Sequence, residues 1–234
     1  MLKHLMLTMG LLATTAATAP AAGVYGTDVG SADWTGSRSA EDGQITHGAT
    51  ETQGNPDRFR SLVVTWNIAW NESNQLWHYT YTFAMAGQDY SHLILEFSGD
   101  ATKGEILGLT GGTMDNADPR IYSPTSQGGG SNPGIPGEIF GIKIGPSGSG
   151  NILNISFEST RAPVWGNFYA TAGKDYAYNA GFGHLDSDET SLFIARPNGA
   201  GGPVVPEPSS IALMGLGAVG LVGVAVRRRK TRAI

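Results

Sequence analysis

The sequence predicts an all-β fold, an antiparallel two-sheet sandwich with jelly-roll-like connectivity, on three observations. Turn formers are abundant, with 34 Gly and 12 Pro in 234 residues, and only 15% of the chain is charged. That balance favours short strands over amphipathic helices. Apolar residues recur with period two, the repeat of a half-buried strand. Nine such runs lie between Ala22 and Arg196, each bounded by Gly, Pro, Asn, Asp or other polar residues. Short strands at this spacing pack as two sheets.

The strongest run is Ser61 to Asn71, where Leu62, Val64, Trp66, Ile68 and Trp70 share one face. After the polar loop Glu72-Ser73-Asn74-Gln75, the run Leu76 to Ala84 places Trp77, Tyr79, Tyr81 and Phe83 on one face. The two form a hairpin. The remaining runs are Ser91 to Ser98, Glu105 to Leu109, Glu138 to Ile144, Asn151 to Glu158, Val164 to Thr171, Asp175 to Phe182 and Thr190 to Arg196. Pro124 to Gly137, with its Gly and Pro clusters, is a long mid-domain loop, a candidate lid or binding edge.

The net charge of −5 is unevenly spread. Lys3 and the tail residues Arg227, Arg228, Arg229, Lys230 and Arg232 are six of the fifteen basic residues. Without them the balance is about −11, which repels nucleic acid and argues against such a partner. The chain has no cysteine, which excludes disulfides, thiol nucleophiles and cysteine metal sites.

Residues 1–21 have the pattern of a secretory signal peptide: a basic start at Lys3, an apolar stretch from Leu5 to Ala17, and small residues at Ala19 and Ala21. Residues 22–196 form the expected ectodomain, and 197–204 a Gly-rich flexible linker. At the other end, Val205-Pro206-Glu207-Pro208 leads into an uncharged apolar stretch, 211–226, and then a basic tail, 227–234. As a helix the stretch measures about 24 Å, enough to span a bilayer core with help from snorkelling flanks. The basic residues behind it, Arg227, Arg228, Arg229 and Lys230, stop transfer and stay cytoplasmic, leaving the body outside. Pro206 and Pro208 hold the motif extended and open to an enzyme.

A Pro-Glu-Pro motif, a Gly-rich apolar helix and a terminal Arg cluster, in that order over residues 205–234, resemble the PEP-CTERM sorting signal. The resemblance implies recognition and cleavage by an exosortase membrane enzyme. It further implies an inner-membrane intermediate in a Gram-negative bacterium, delivery to the cell surface or extracellular matrix, and a link to exopolysaccharide and biofilm. Thr160 to Ala170 resembles a stretch in the ectodomains of some uncharacterised PEP-CTERM proteins, which assigns no activity.

The body offers sparse chemistry. A β-sandwich glycoside hydrolase needs two carboxylates across the scissile bond, and Glu96 and Glu158 are the best strand-borne pair. His47, His78, His92 and His184 are scattered singly, without zinc-ligand spacing. Asp186, Asp188 and Glu189 form an oxygen-rich loop that is a candidate calcium site, with Asp115-Asn116-Ala117-Asp118 a second acidic turn. Trp66, Trp70, Trp77 and Trp165 are candidate platforms for stacking on sugar, the basis of an alternative role as a secreted carbohydrate-binding module. The expectation is a non-enzymatic surface or matrix protein without a required cofactor.

Overall fold

A computed structural model describes residues 23–50, 54–87, 89–114, 119–124, 132–147 and 150–197. In chain order the strands are β1 (Thr35–Ser39), β2 (Ile45–Ala49), β3 (Val63–Asn71), β4 (Leu76–Ala84), β5 (His92–Glu96), β6 (Leu107–Thr110), β7 (Gly112–Met114), β8 (Arg120–Tyr122), β9 (Ile139–Pro146), β10 (Ile152–Ser159), β11 (Pro163–Gly166), β12 (Phe168–Ala172), β13 (Asp175–Asn179) and β14 (Ile194–Pro197). Sheet A has the order β1-β3-β4-β10-β6. Sheet B has the order β2-β13-β12-β5-β9-β7, with β8 also on β9, and β11 and β14 form a separate ribbon. All pairings are antiparallel.

The period-two pattern sets the core. Val64, Trp66 and Ile68 on β3, and Trp77, Tyr79, Tyr81 and Phe83 on β4, are all buried on one side. Pairing of β4 with β10 adds Leu153, Ile155 and Phe157 to that layer. From sheet B, Leu93, Leu95, Ile142, Ile144, Phe168 and Ala170 complete the same cluster. Phe83 meets Phe168 edge to face at 5.5 Å, and Tyr79 stacks on Phe157 at 5.3 Å. The two buried phenols of β4 keep partners, as burial favours: Tyr79 donates to the carbonyl of Arg161 at 2.7 Å and Tyr81 to that of Ala195 at 2.9 Å.

Successive strands of a jelly roll alternate between sheets. Here the hairpins β3–β4 and β12–β13 each stay within one sheet, so the connectivity departs from that expectation. The predicted strand from Val164 to Thr171 is two strands broken at Asn167, whose N–H turns to the Glu96 carboxylate while its side chain accepts from Asn179 at 2.9 Å. The break lets β11 leave sheet B for β14. Four strands had no apolar run to announce them: β1, β2, β7 and β8.

Sheet B is covered on its second face too. Ile94, Tyr122, Ile135, Ile139, Tyr169 and Phe182 form a smaller cluster there, flanked by Tyr176 and Tyr178. The described end of the expected 124–137 loop lies on this face, with Ile135 buried and the carbonyl of Pro133 accepting from Tyr169 at 2.7 Å. Gly134 has φ +69°, and a Cβ there would sit 2.1 Å from the Tyr176 ring, so only glycine fits.

This cover buries His92, whose Nε2 lies 3.0 Å from the Asn132 side-chain oxygen. Burial first, then the nearby Lys143 charge, lowers its pKa to about 4. The unfolded chain therefore binds a proton near pH 6.5 that the fold refuses until about pH 4. The contribution of His92 is complete above pH 6.5 and is lost as pH falls to 4, at most about 3 kcal/mol. Urea unfolding across this window should show a His92→Gln variant losing less stability than the parent. Parallel curves would contradict the assignment.

Candidate functional site

The polar centre of the body lies where sheet B meets the ribbon. Leu93 and Leu95 point into the shared core, so Glu96, next along β5, points to the opposite face with Ile94. There it is only 6% exposed. One carboxylate oxygen accepts from the Tyr25 hydroxyl, the other from the Asn167 N–H at 2.5 Å. Arg196 on β14, 4% exposed, brings its Nε to 3.6 Å and donates from Nη1 to Ser98 Oγ at 3.1 Å and to the Pro197 carbonyl at 3.0 Å. A Cβ on Gly166 would lie 2.2 Å from Arg196 Nε and 2.8 Å from the carboxylate, so this glycine makes the room.

Burial raises the Glu96 carboxyl above its ordinary range, against the pull of Arg196 and of its hydrogen bonds. Burial and the adjacent Glu96 raise the Tyr25 phenol as well. A carboxyl held partly toward its neutral form suits a general acid, but this one is sealed by its partners. Glu158 does not complete a pair, because it alternates with the inward Phe157 and so occupies the outer face of sheet A, bonded by Asn74 at 3.2 Å. The two glutamates are on opposite outer sides of the sandwich and cannot flank one glycosidic bond.

The aromatic platforms are likewise internal. Trp66, Trp77 and Trp165 are 2%, 1% and 3% exposed, and Trp70 is half-buried against the core. The Arg38 guanidinium covers the Trp66 ring at 4.8 Å and lies 5.5 Å from that of Trp165. Trp34 stands edge-on to Trp77 at 4.9 Å, and Trp70 lies 5.2 Å from it. The buried indoles present no stacking face to a sugar, because the alternation that put them on one face also put that face inside.

Among the described residues no three acidic or histidine side chains gather as a metal site, so Asp186, Asp188 and Glu189 do not converge on a calcium position. Adjacent loop residues fan outward unless the backbone curls around an ion. Asp115 to Asp118 lie outside the described residues. His47 contacts the Pro56 carbonyl at 2.8 Å, and His78 contacts Ser156 at 3.2 Å. The Glu96–Arg196 cluster went unseen in the sequence, where Tyr25, Glu96, Asn167 and Arg196 lie on four separate stretches of the chain. Only the lone Glu inside the apolar run Ser91 to Ser98 hinted at it.

The signal peptide, the span at 211–226, the motif Val205 to Pro208 and the basic tail lie outside the described residues. No helix among the described residues is long and apolar enough to cross a membrane. Taken together, a two-sheet β body followed by a motif, an apolar stretch and a basic end define an exported protein with a C-terminal processing tail. Residues 204–230 match the family model of the PEP-CTERM protein-sorting motif. The chain thus carries that motif, which implies export, processing by an exosortase and sorting to the cell surface. No curated protein and no solved structure matches the chain.

Proposed function

We propose that the body, once released from its tail, is a non-enzymatic component of the cell surface or extracellular matrix of a Gram-negative bacterium, linked to exopolysaccharide and biofilm. The observation that carries this is the sorting motif at residues 204–230. The separation of Glu96 from Glu158 and the sealing of Glu96 by Tyr25, Asn167 and Arg196 support a structural over a hydrolytic role. Mass spectrometry of the protein recovered from the surface fraction tests it. The expected mature chain ends near Pro208 and lacks the peptide Arg227 to Ile234. Recovery of that peptide in the surface fraction, or of the protein only in the cytoplasm, would refute the proposal.

A further inference from the structure

Among the described residues, the outer face of sheet A carries no apolar cluster like the one on the second face of sheet B. Between the inward aromatics, β1, β3 and β4 carry Thr35, Ser37, Thr65, Asn67, Thr80 and Thr82. Register aligns them in two rows across the strands, Ser37 beside Thr65 beside Thr82, and Thr35 beside Asn67 beside Thr80. These six residues, with Gly36 and Trp66, line an open groove of about 500 Å³. None of them is ionisable. Glu158 lies on this face one row further on, beside His78.

The chemistry of the groove selects its occupant. Without a carboxylate or a basic group it offers nothing to an ion, and the acidic body around it repels polyanions. Threonine presents a methyl beside a hydroxyl, matching a pyranose with its C–H faces and hydroxyl edges. Some of the polar atoms are already engaged: Thr35 donates to Asn67 at 3.4 Å and Thr82 to Asn154 at 2.7 Å. The hydroxyls of Ser37, Thr65 and Thr80 have no such bond to another described residue. Strands about 4.8 Å apart repeat these groups at nearly the advance of one sugar along a glycan. A chain crossing β1, β3 and β4 therefore meets a hydrogen-bonding group at each sugar.

We propose that this groove binds a neutral polysaccharide chain. The assignment rests on the surface location proposed above, and deepens it by naming a polymer class and a place. Calorimetry with the full chain in detergent tests it, using cellohexaose, maltohexaose and mannohexaose as neutral probes and an alginate hexamer as the anionic one. At least one neutral hexasaccharide should bind and alginate should not. The double variant Thr65→Val, Thr80→Val, which keeps shape and removes two hydroxyls, should weaken binding about tenfold or more. Thr110→Val on β6, outside the groove, should leave it unchanged.

Binding by none of the three neutral probes, equal binding of alginate, or unaltered binding by the double variant would overturn the proposal. So would self-association in sedimentation that the double variant abolishes, since a second copy would then be the occupant. Surface fractionation is scored separately. A surface-located chain that binds no hexasaccharide sinks the groove alone, whereas a cytoplasmic chain sinks the location.

Discussion

Glu96→Ala should destabilise the body by about 3–5 kcal/mol, the loss expected when one member of a buried ion pair is removed. The substitution leaves the Arg196 guanidinium enclosed without its carboxylate and takes the acceptor from the Tyr25 hydroxyl and the Asn167 N–H. Urea unfolding at pH 7 measures it. Tyr25→Phe removes only one hydroxyl and should cost about 1 kcal/mol. The pH dependence gives a second check. Because the Glu96 carboxyl is raised by burial, its contribution is fullest below its unfolded value, near pH 4.5, and declines as pH rises through its folded value. Glu96→Gln should abolish that decline. A Glu96→Ala variant as stable as the parent would mean that the cluster is solvated and holds nothing together.

Replacing Pro206, Glu207 and Pro208 together with alanine should abolish processing. Alanine restores helix propensity at positions where proline disfavours helix, so the variant loses the bias toward extended backbone that two prolines give a sequence. The Glu207 carboxylate, available to a basic subsite, is lost as well. The expected result is a membrane-bound precursor that retains Arg227 to Ile234, with the surface form reduced to background in immunoblots of fractionated cells. The body should melt as before, because residues 23–197 are untouched. Normal maturation of the triple variant would place recognition elsewhere in the tail.

What could be read from the sequence divides along a physical line. The hairpin of β3 and β4 was legible, β4 to both its boundaries and β3 to within two residues at its start, because nine-residue strands with one buried face write a period of two into the chain. β1 and β2, Thr-Gly-Ser-Arg-Ser and Ile-Thr-His-Gly-Ala, were illegible since they contribute few apolar side chains. Strand β12 is buried on both faces, and alternation cannot report a second cover that comes from residues 132–139. The tryptophans show the limit for sites: spacing told which residues share a face, and only the packing of Arg38, Trp34 and sheet B decided that the face is internal. The sorting motif was legible because its parts are contiguous and need no fold to be assembled. The Glu96 cluster and the outer groove were not, since each exists only once strands from distant stretches stand side by side.

The ribbon has a consequence for timing. Strand β11 is flanked on one side by the first described segment, where Gly26 and Val29 donate to the carbonyls of Trp165 and Pro163 at 2.8 and 3.0 Å, and on the other by β14. Tyr25, Glu96 and Arg196 meet only when both are in place. A chain that crosses a membrane amino end first holds Tyr25 and Glu96 outside while Arg196 has yet to arrive. Until residue 197 emerges, β11 keeps an open edge, the Tyr81 hydroxyl lacks its acceptor and Glu96 lacks its cation. The strand that precedes the tail is thus the one that closes the fold, and a chain cut short before it stays open and vulnerable to proteolysis and to edge-to-edge aggregation.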